Sequence, residues 1–175
     1  MTLIEILIVV SVSITLAAIA VPISSQFINR SASDGVLQTT VAALENAQSR
    51  AVAERRNMRI SFVGNNHLVV DRLEVTGGTV TPISDTPLTG SHQFVKFSIA
   101  DTPDHFGNTS ATTFSGTAPY MFTSDGSLID SNGDVVNGSI FIGIPGQVDT
   151  ARAITIFGVT GLMRTWNWRG NAWFD

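Results

Sequence analysis

The first thirty residues, MTLIEILIVVSVSITLAAIAVPISSQFINR over positions 1–30, decide the fold. From Leu3 to Ile23 almost every side chain is apolar or small, and Glu5 is the ionised exception. About 20 such residues rise roughly 30 Å as an α-helix, which is enough to cross the hydrocarbon core of a bilayer. The sequence therefore predicts a transmembrane or assembly helix over residues 1–30, in which the carboxylate needs a partner.

The first basic residue, Arg30, follows the apolar run. The Lys/Arg-rich flank that usually orients a membrane helix is therefore missing in front of it. The run is also too long for a removed signal peptide and lacks the basic n-region of one. We expect that the chain is already processed and that its basic leader is gone.

The order of these features resembles the N-terminus of a mature type IV pilin or pseudopilin. That family has a carboxylate at the fifth position and a proline at the twenty-second, which match Glu5 and Pro22. The resemblance implies cleavage by a prepilin peptidase, N-methylation of Met1, and storage in the bacterial inner membrane. It also implies transfer by an assembly platform into a helical filament of copies of itself or other pilins, as an extracellular pilus or a periplasmic pseudopilus.

Glu5 carries the sharpest functional hypothesis. An α-amine at Met1 is cationic at neutral pH, because such groups titrate near pH 8. Pairing it with Glu5 of a neighbouring subunit would remove two isolated charges from an apolar environment, and deleting one partner would cost about 3–5 kcal/mol. The alternative is a carboxylate lying unpaired among lipid headgroups. Pro22 would permit bending, so the preceding helix could be continuous, kinked or locally unwound.

The composition restricts the remaining classes of function. The chain has 175 residues, of which 43% are hydrophobic and 14% charged, with a net charge of −4 and a single lysine, Lys96. A dominant nucleic-acid surface is not expected from this balance. The chain has no cysteine, which excludes disulfides, zinc thiolates and thiol catalysis.

Beyond residue 30 the sequence predicts an amphipathic helix over 31–56 and an antiparallel β domain over 57–175. Apolar residues recur at helical spacing in the first segment, and the period changes to two from Met58 onward. Predicted strands include a hairpin over 58–73, a strand over 94–100, a second hairpin over 120–129, and strands over 139–144, 152–159, 161–168 and 172–174. Residues 76–91 are predicted as a loop, with at most a short strand, and residues 101–118 as the least ordered part. The predicted fold is α+β, a long N-terminal helix packed on a sandwich-like domain of two antiparallel sheets.

Three further segments narrow the resemblance. LENAQSRAVA over 44–53, FTSDG over 122–126 and RAITIFGVTG over 152–161 are similar to the GspH/FimT family of minor pilins and a secretion pseudopilin. This resemblance implies a helical stalk and a head of two antiparallel sheets. Two roles follow from it: the main repeating subunit of a pilus, or a minor subunit that primes a pilus or a type II secretion pseudopilus.

Two weaker candidates lie in the β domain. Asp130, Asn132 and Asp134 have the alternating oxygen ligands of a calcium loop, but the terminal glutamate is missing and a turn is the better interpretation. A basic-aromatic surface of Arg152, Arg164 and Arg169 with Trp166 and Trp168 could bind single-stranded DNA and support DNA uptake. Some family members bind DNA through a C-terminal Gly-Arg-x-Arg motif, and the matching segment here, Gly161-Leu162-Met163-Arg164, lacks the first arginine. Alternation also places both tryptophans on one strand face, which is typical of a core or a subunit contact.

No motif predicts catalysis or a cofactor. His67, His92 and His105 are isolated from one another in the sequence, and neither a nucleophile elbow nor a phosphate-binding glycine loop is present. The sequence therefore predicts a structural subunit without a cofactor. The alternative to a purely structural subunit is a binding protein, in which the chain displays a DNA-binding or adhesion module on a pilus.

Overall fold

A computed structural model describes residues 2–74 and 79–175 of the chain, without the side chains of residues 19–24. Its first element is the helix α1, Leu3–Glu54. The chain divides into two compact units, Met1–Ala32 and Ser33–Asp175, and the second is called the head below. The head contains the C-terminal part of α1 and every β-strand.

The helix α1 ends at Glu54, and the next residue, Arg55, has a left-handed φ of +51°. The Arg56 N–H then donates to the Ala51 carbonyl at 3.2 Å. This is the six-to-one hydrogen bond of a Schellman motif, which usually has glycine at the left-handed position. An arginine there is about 1 kcal/mol less favourable than glycine.

Eleven strands are present in the described part of the head, and they form two antiparallel sheets. The first sheet has the order β3-β2-β1-β6-β7, and the second the order β11-β10-β9-β8-β4, with β5 also paired to β8. A short 3-10 helix, Val148–Thr150, precedes β9. The strand bounds are β1 Met58–Val63, β2 His67–Leu73, β3 Val80–Pro87, β4 Gln93–Phe94, β5 Thr112–Phe114, β6 Tyr120–Phe122, β7 Leu128–Ile129, β8 Gly138–Gly143, β9 Arg152–Phe157, β10 Leu162–Trp168 and β11 Trp173–Phe174.

The main core lies where α1 meets the inner faces of both sheets. The helix contributes apolar residues three or four positions apart, and the strands contribute alternate residues. All are buried, including Leu37, Leu44, Ala47, Ala51, Met58, Ile60, Leu68, Phe122, Leu128, Ile140, Ile142, Ile154 and Ile156. The predicted amphipathic helix and the α+β fold of a helix on two antiparallel sheets are confirmed.

A second cluster covers the outer face of the β8-β9-β10 sheet. The three tryptophans and Phe141 on that face are covered by apolar residues of the irregular segment that follows β4. Strands β8 and β9 are consequently buried almost throughout. The residues of this cluster are Val95, Phe97, Ile99, Phe141, Ala151, Ala153, Trp166, Trp168 and Trp173.

The hairpin prediction is confirmed, and two other segments differ from their predictions. The hairpin β1–β2 pairs Met58 with Arg72 through Val63 with His67, as the 58–73 pattern predicts. The predicted loop over 76–91 instead contains the eight-residue strand β3, which tolerates Pro82 and Pro87 because it lies at a sheet edge. The strand predicted over 94–100 is reduced to β4, because its alternating apolar residues cover the outer face of the sheet rather than extending a ladder.

Within the described part of the chain, no helical stretch is both long and apolar enough to cross a membrane. The crossing predicted over residues 1–30 includes Met1 and the side chains of residues 19–24, which lie outside that part.

Candidate functional site

The start of α1 is a capping box formed by Thr2 and Glu5. The Thr2 backbone N–H donates to the Glu5 carboxylate at 2.6 Å, and the Thr2 hydroxyl donates to the same oxygen at 3.2 Å. The Glu5 N–H in turn lies 3.4 Å from the Thr2 hydroxyl oxygen. In this motif a Ser or Thr cap and a Glu or Gln three residues later satisfy each other's backbone N–H. Glu5 therefore has a partner within its own chain as well as the intersubunit partner that the sequence suggests.

The other two residues predicted for assembly are not described. Met1 lies outside the described residues, and so does the side chain of Pro22. The backbone of α1 is helical over Leu3–Glu54, which includes position 22. Of the predicted assembly residues, the structure therefore gives the surroundings of Glu5.

A junction at Gln48 connects the two sheets of the head to the helix. The Gln48 side-chain amide donates to the Gly126 carbonyl at 2.9 Å and to the Thr160 carbonyl at 3.2 Å. Gly126 lies in the β6–β7 turn of the first sheet, and Thr160 lies in the β9–β10 turn of the second. The three segments that resemble the GspH/FimT family therefore meet at one amide group.

Gly161 makes this close approach possible. Its φ is +63°, a region that L-residues with a Cβ rarely adopt. A Cβ at this position would lie 2.1 Å from the Gln48 amide nitrogen and 2.3 Å from the Gly126 carbonyl oxygen. The junction therefore requires glycine for both its backbone conformation and its space.

Asp125 organises the β6–β7 turn beside the junction. Hydrogen bonds from the Thr123 hydroxyl, the Ser127 hydroxyl and the Ser127 N–H lower the pKa of Asp125 from its ordinary 3.8 to about 2. The Ser127 hydroxyl and N–H lie 2.8 and 3.2 Å from the carboxylate, respectively. These donors favour the ionised carboxylate, so the charge of Asp125 stabilises the folded turn.

The substitution Asp125→Asn is expected to lower the stability of the head at neutral pH. Since the pKa of Asp125 is depressed in the fold, its contribution is present above about pH 4 and disappears as the pH falls through about 2. The urea midpoints of the wild type and the variant, followed by tryptophan fluorescence, should therefore converge between these pH values. Asp175→Asn, at the exposed last residue, is the control. A gap that stays constant from pH 7 to pH 2 would contradict this account.

The candidate calcium residues form a turn. The buried Asp130 carboxylate accepts from the backbone N–H groups of Thr117, Asn132 and Asp134 at 2.8–3.1 Å. The Thr117 hydrogen bond is the largest of the effects that lower the pKa of Asp130. Within residues 2–74 and 79–175, no group of three or more His, Cys, Asp or Glu side chains is placed to hold a metal ion. Asp130 therefore acts as an acceptor that closes the β7–β8 connection.

The basic-aromatic residues do not form a common exposed surface. Trp166 and Trp168 are each 8% exposed, so their rings are not available for stacking on bases. Arg152 is also buried, Arg164 pairs with Asp104 at 3.1 Å, and Arg169 lies over the ring of Phe174. The prediction of a stacking surface at these positions is corrected, because the outer layer of the head covers the tryptophans.

Asp104 is a structural residue that the sequence did not single out. It lies in the segment predicted to be least ordered, yet its carboxylate accepts from the Thr155 hydroxyl at 2.5 Å and from the Trp166 indole N–H at 3.3 Å. The Trp166 N–H also donates to Thr155 at 2.9 Å. These contacts hold the irregular segment to β9 and β10. The signal in the sequence is weak: Asp104 is one of two acids, with Asp101, in a segment rich in Ser, Thr and Gly.

Arg152 connects α1 to the second sheet. Its guanidinium is buried and donates to Asp34 at 2.6 Å and to the Ala151 carbonyl at 2.9 Å. The Asp34 side chain is itself 57% exposed. The pair therefore lies at the edge of the core. The buried positive charge of Arg152 is balanced by the carboxylate of Asp34, which is at the surface.

The substitution Asp34→Ala is expected to destabilise the head by roughly 2–3 kcal/mol, because it removes the carboxylate that accepts from the buried Arg152 guanidinium. Urea unfolding of the full chain in detergent, followed by fluorescence of the buried tryptophans, measures this. Removing both partners in Asp34→Ala/Arg152→Met should recover part of the loss. Equal stability of Asp34→Ala and the wild type would show that the ion pair contributes nothing.

The head has the architecture of a pilin head, with the C-terminal part of a long helix packed on two antiparallel sheets. The minor pseudopilin EpsH from the type 2 secretion system of Vibrio cholerae has this fold, with a TM-score of 0.50 and 14% identity, covering 75% of this chain and 93% of that chain. The predicted GspH/FimT-like fold is therefore confirmed.

Two crystal structures of the type IV minor pilin FimU from Pseudomonas aeruginosa are also similar. One has a TM-score of 0.47 and 17% identity over 77% of this chain and 90% of that chain. The other has a TM-score of 0.49 and 16% identity over 88% and 98% of the two chains. No protein-family model matches the sequence, and no curated protein does.

Proposed function

We propose that this chain is a structural subunit of a bacterial type IV pilus or pilus-like filament, assembled through its apolar N-terminal helix. The observation that carries the proposal is Glu5, an exposed carboxylate in the first turn of a helix whose next residues are apolar and exposed. Such a surface requires a covering, and neighbouring copies of the same helix would provide one. The pilin fold of the head agrees with this role.

The charge of Glu5 favours association with a neighbouring subunit. In the separate chain its carboxylate is held by the Thr2 capping box, which satisfies backbone donors but brings no opposite charge. A neighbouring subunit would add the cationic α-amine of its processed Met1. Association would therefore replace a neutral hydrogen-bond partner with an ion pair in an environment where unpaired charge is costly.

Within this function we infer one of two roles, the main repeating subunit of a pilus or a minor subunit that primes a pilus or a type II secretion pseudopilus. The head shares its fold with a minor pseudopilin at 14% identity, and this fold is compatible with both roles. A prepilin peptidase would process the chain, the inner membrane would store it, and an assembly platform would transfer it into the filament. The filament would then be extracellular or periplasmic.

The composition of sheared filaments tests both levels of the proposal. Mass spectrometry of filaments from the native host should identify this chain with a processed, N-methylated Met1. A trace amount relative to another pilin is expected for a minor subunit, and a dominant band would instead assign the main subunit. Absence of the chain from every pilus and pseudopilus preparation would rule out the filament role.

A further inference from the structure

A groove lies beside the Gln48 junction on the surface of the head. It encloses about 450 Å³ between α1 and the start of β10, and its lining includes Glu45, Gln48 and Leu162. Next to it, in the β9–β10 turn, Val159 is 74% exposed, and Leu162 is 51% exposed. Apolar side chains this exposed, around a concave surface, are typical of a contact with another macromolecule.

Glu45 supplies the charge of this groove. It is the ionisable residue of the lining, and it is exposed. Among the described residues, its carboxylate has no ion pair or side-chain hydrogen bond. A twofold contact centred on the groove would bring two such carboxylates together, and like charges in close contact are unfavourable.

Arg55 is the complementary group on the same molecule. In the described part of the chain Arg55 and Lys96 are the exposed basic residues without an ion pair, a side-chain hydrogen bond or an aromatic contact, and of the two Arg55 lies at the end of a helix. It also occupies the left-handed position at the end of α1, where glycine would be more stable. A residue that is unfavourable for the fold and has no partner within it is a reasonable candidate for a contact outside it.

We propose that the groove receives the end of α1 from a second copy of this chain, with Arg55 of one copy paired to Glu45 of the next. Ten residues of helix separate the two positions, about 15 Å along the axis, so they cannot pair within one chain. A contact between two different surfaces repeats from copy to copy and builds an open helical assembly rather than a closed dimer. The inference rests on the proposed filament role with this chain as a repeating subunit, and it specifies a contact between heads.

Charge reversal in the full chain, expressed in the native host, tests the contact. Glu45→Arg and Arg55→Glu should each lower the amount of the chain in sheared filaments, relative to the membrane fraction, by about fivefold or more. The double variant restores the pair in reverse and should recover assembly. Arg169→Glu, at the β10–β11 turn, is the control and should assemble normally. A double variant that is no better than either single variant overturns the proposal.

Arg55→Gly separates assembly from folding. It removes the charge and also relieves the left-handed backbone, so the head should become more stable while its incorporation into filaments falls. Normal incorporation of this variant overturns the contact. The same measurement on Glu5→Ala shows whether the filament role itself holds: loss with Glu5→Ala but not with Arg55→Gly rejects only the contact between heads.

Crosslinking identifies the occupant directly, because the natural chain contains no cysteine. Filaments carrying both Glu45→Cys and Arg55→Cys should give a ladder of multimers with a short bis-maleimide, and neither single variant should do so alone. Dimers from Glu45→Cys alone would show a twofold contact and overturn the proposal. An adduct with a different pilin would overturn the choice of a second copy as the occupant.

Discussion

Glu5→Ala is expected to leave the chain in the membrane fraction and to reduce its incorporation into filaments at least tenfold. The substitution removes the carboxylate that would pair with the Met1 amine of a neighbour, and loss of one partner of such a pair costs about 3–5 kcal/mol. It also removes the capping box, in which the Glu5 carboxylate accepts from Thr2 at 2.6 Å. Immunoblots of sheared filaments and membranes measure the two pools.

Glu5→Gln separates the two effects of that substitution. Glutamine is an accepted residue at this position of a capping box, so the start of the helix is preserved while the charge is lost. Thr2→Ala performs the opposite test, because it removes the hydroxyl and leaves the carboxylate. We expect Glu5→Gln to assemble as poorly as Glu5→Ala. Normal filaments from Glu5→Gln would show that helix capping, and not charge pairing, is what assembly requires.

Gly161→Ala is expected to destabilise the head by about 3–5 kcal/mol. The added Cβ would lie 2.1 Å from the Gln48 amide and 2.3 Å from the Gly126 carbonyl, so the turn must move and both Gln48 hydrogen bonds are lost. Two lost hydrogen bonds account for about 1–3 kcal/mol, and the backbone strain with the steric clash accounts for the remainder. Urea unfolding followed by tryptophan fluorescence measures the change.

Gly170→Ala is the matched control for this substitution. Its φ of +75° is also left-handed, but a Cβ at Gly170 would meet no atom within 4 Å. It should therefore show the backbone contribution alone, about 1 kcal/mol. Similar losses of unfolding free energy in Gly161→Ala and Gly170→Ala would mean that the turn accommodates the added Cβ near Gln48 at little cost. The Gln48 junction would then not be required for the stability of the head.

The sequence predicts well those features of the fold that depend on neighbouring residues. The hairpin over 58–73 forms because alternation and a Gly64-containing turn specify it within sixteen positions. The buried helix face is likewise set by a local period. Glu5 is the part of the candidate site that could be identified from the sequence, because a charged residue within an apolar run can be recognised from its neighbours in the chain.

Other features depend on partners that are distant in the chain. Gln48 reaches carbonyls 78 and 112 residues further on, and no local pattern indicates this. The strand β3 was missed because its two prolines are unfavourable in a strand unless it lies at an edge, which only the tertiary structure specifies. The tryptophans were correctly placed on one strand face, but the segment that covers them carries a strand-like pattern of its own.

The covered outer face of the second sheet affects which cellular compartments, reducing or oxidising, allow the head to fold. Small secreted domains often rely on disulfides, whose formation depends on the redox state of the compartment. Here an aromatic cluster, with Asp104 bonded to Thr155 and Trp166, attaches the outer segment without any thiol. The stability of the head should therefore be the same under reducing and oxidising conditions. Cells that lack a disulfide-forming oxidase could produce it as readily as cells that have one.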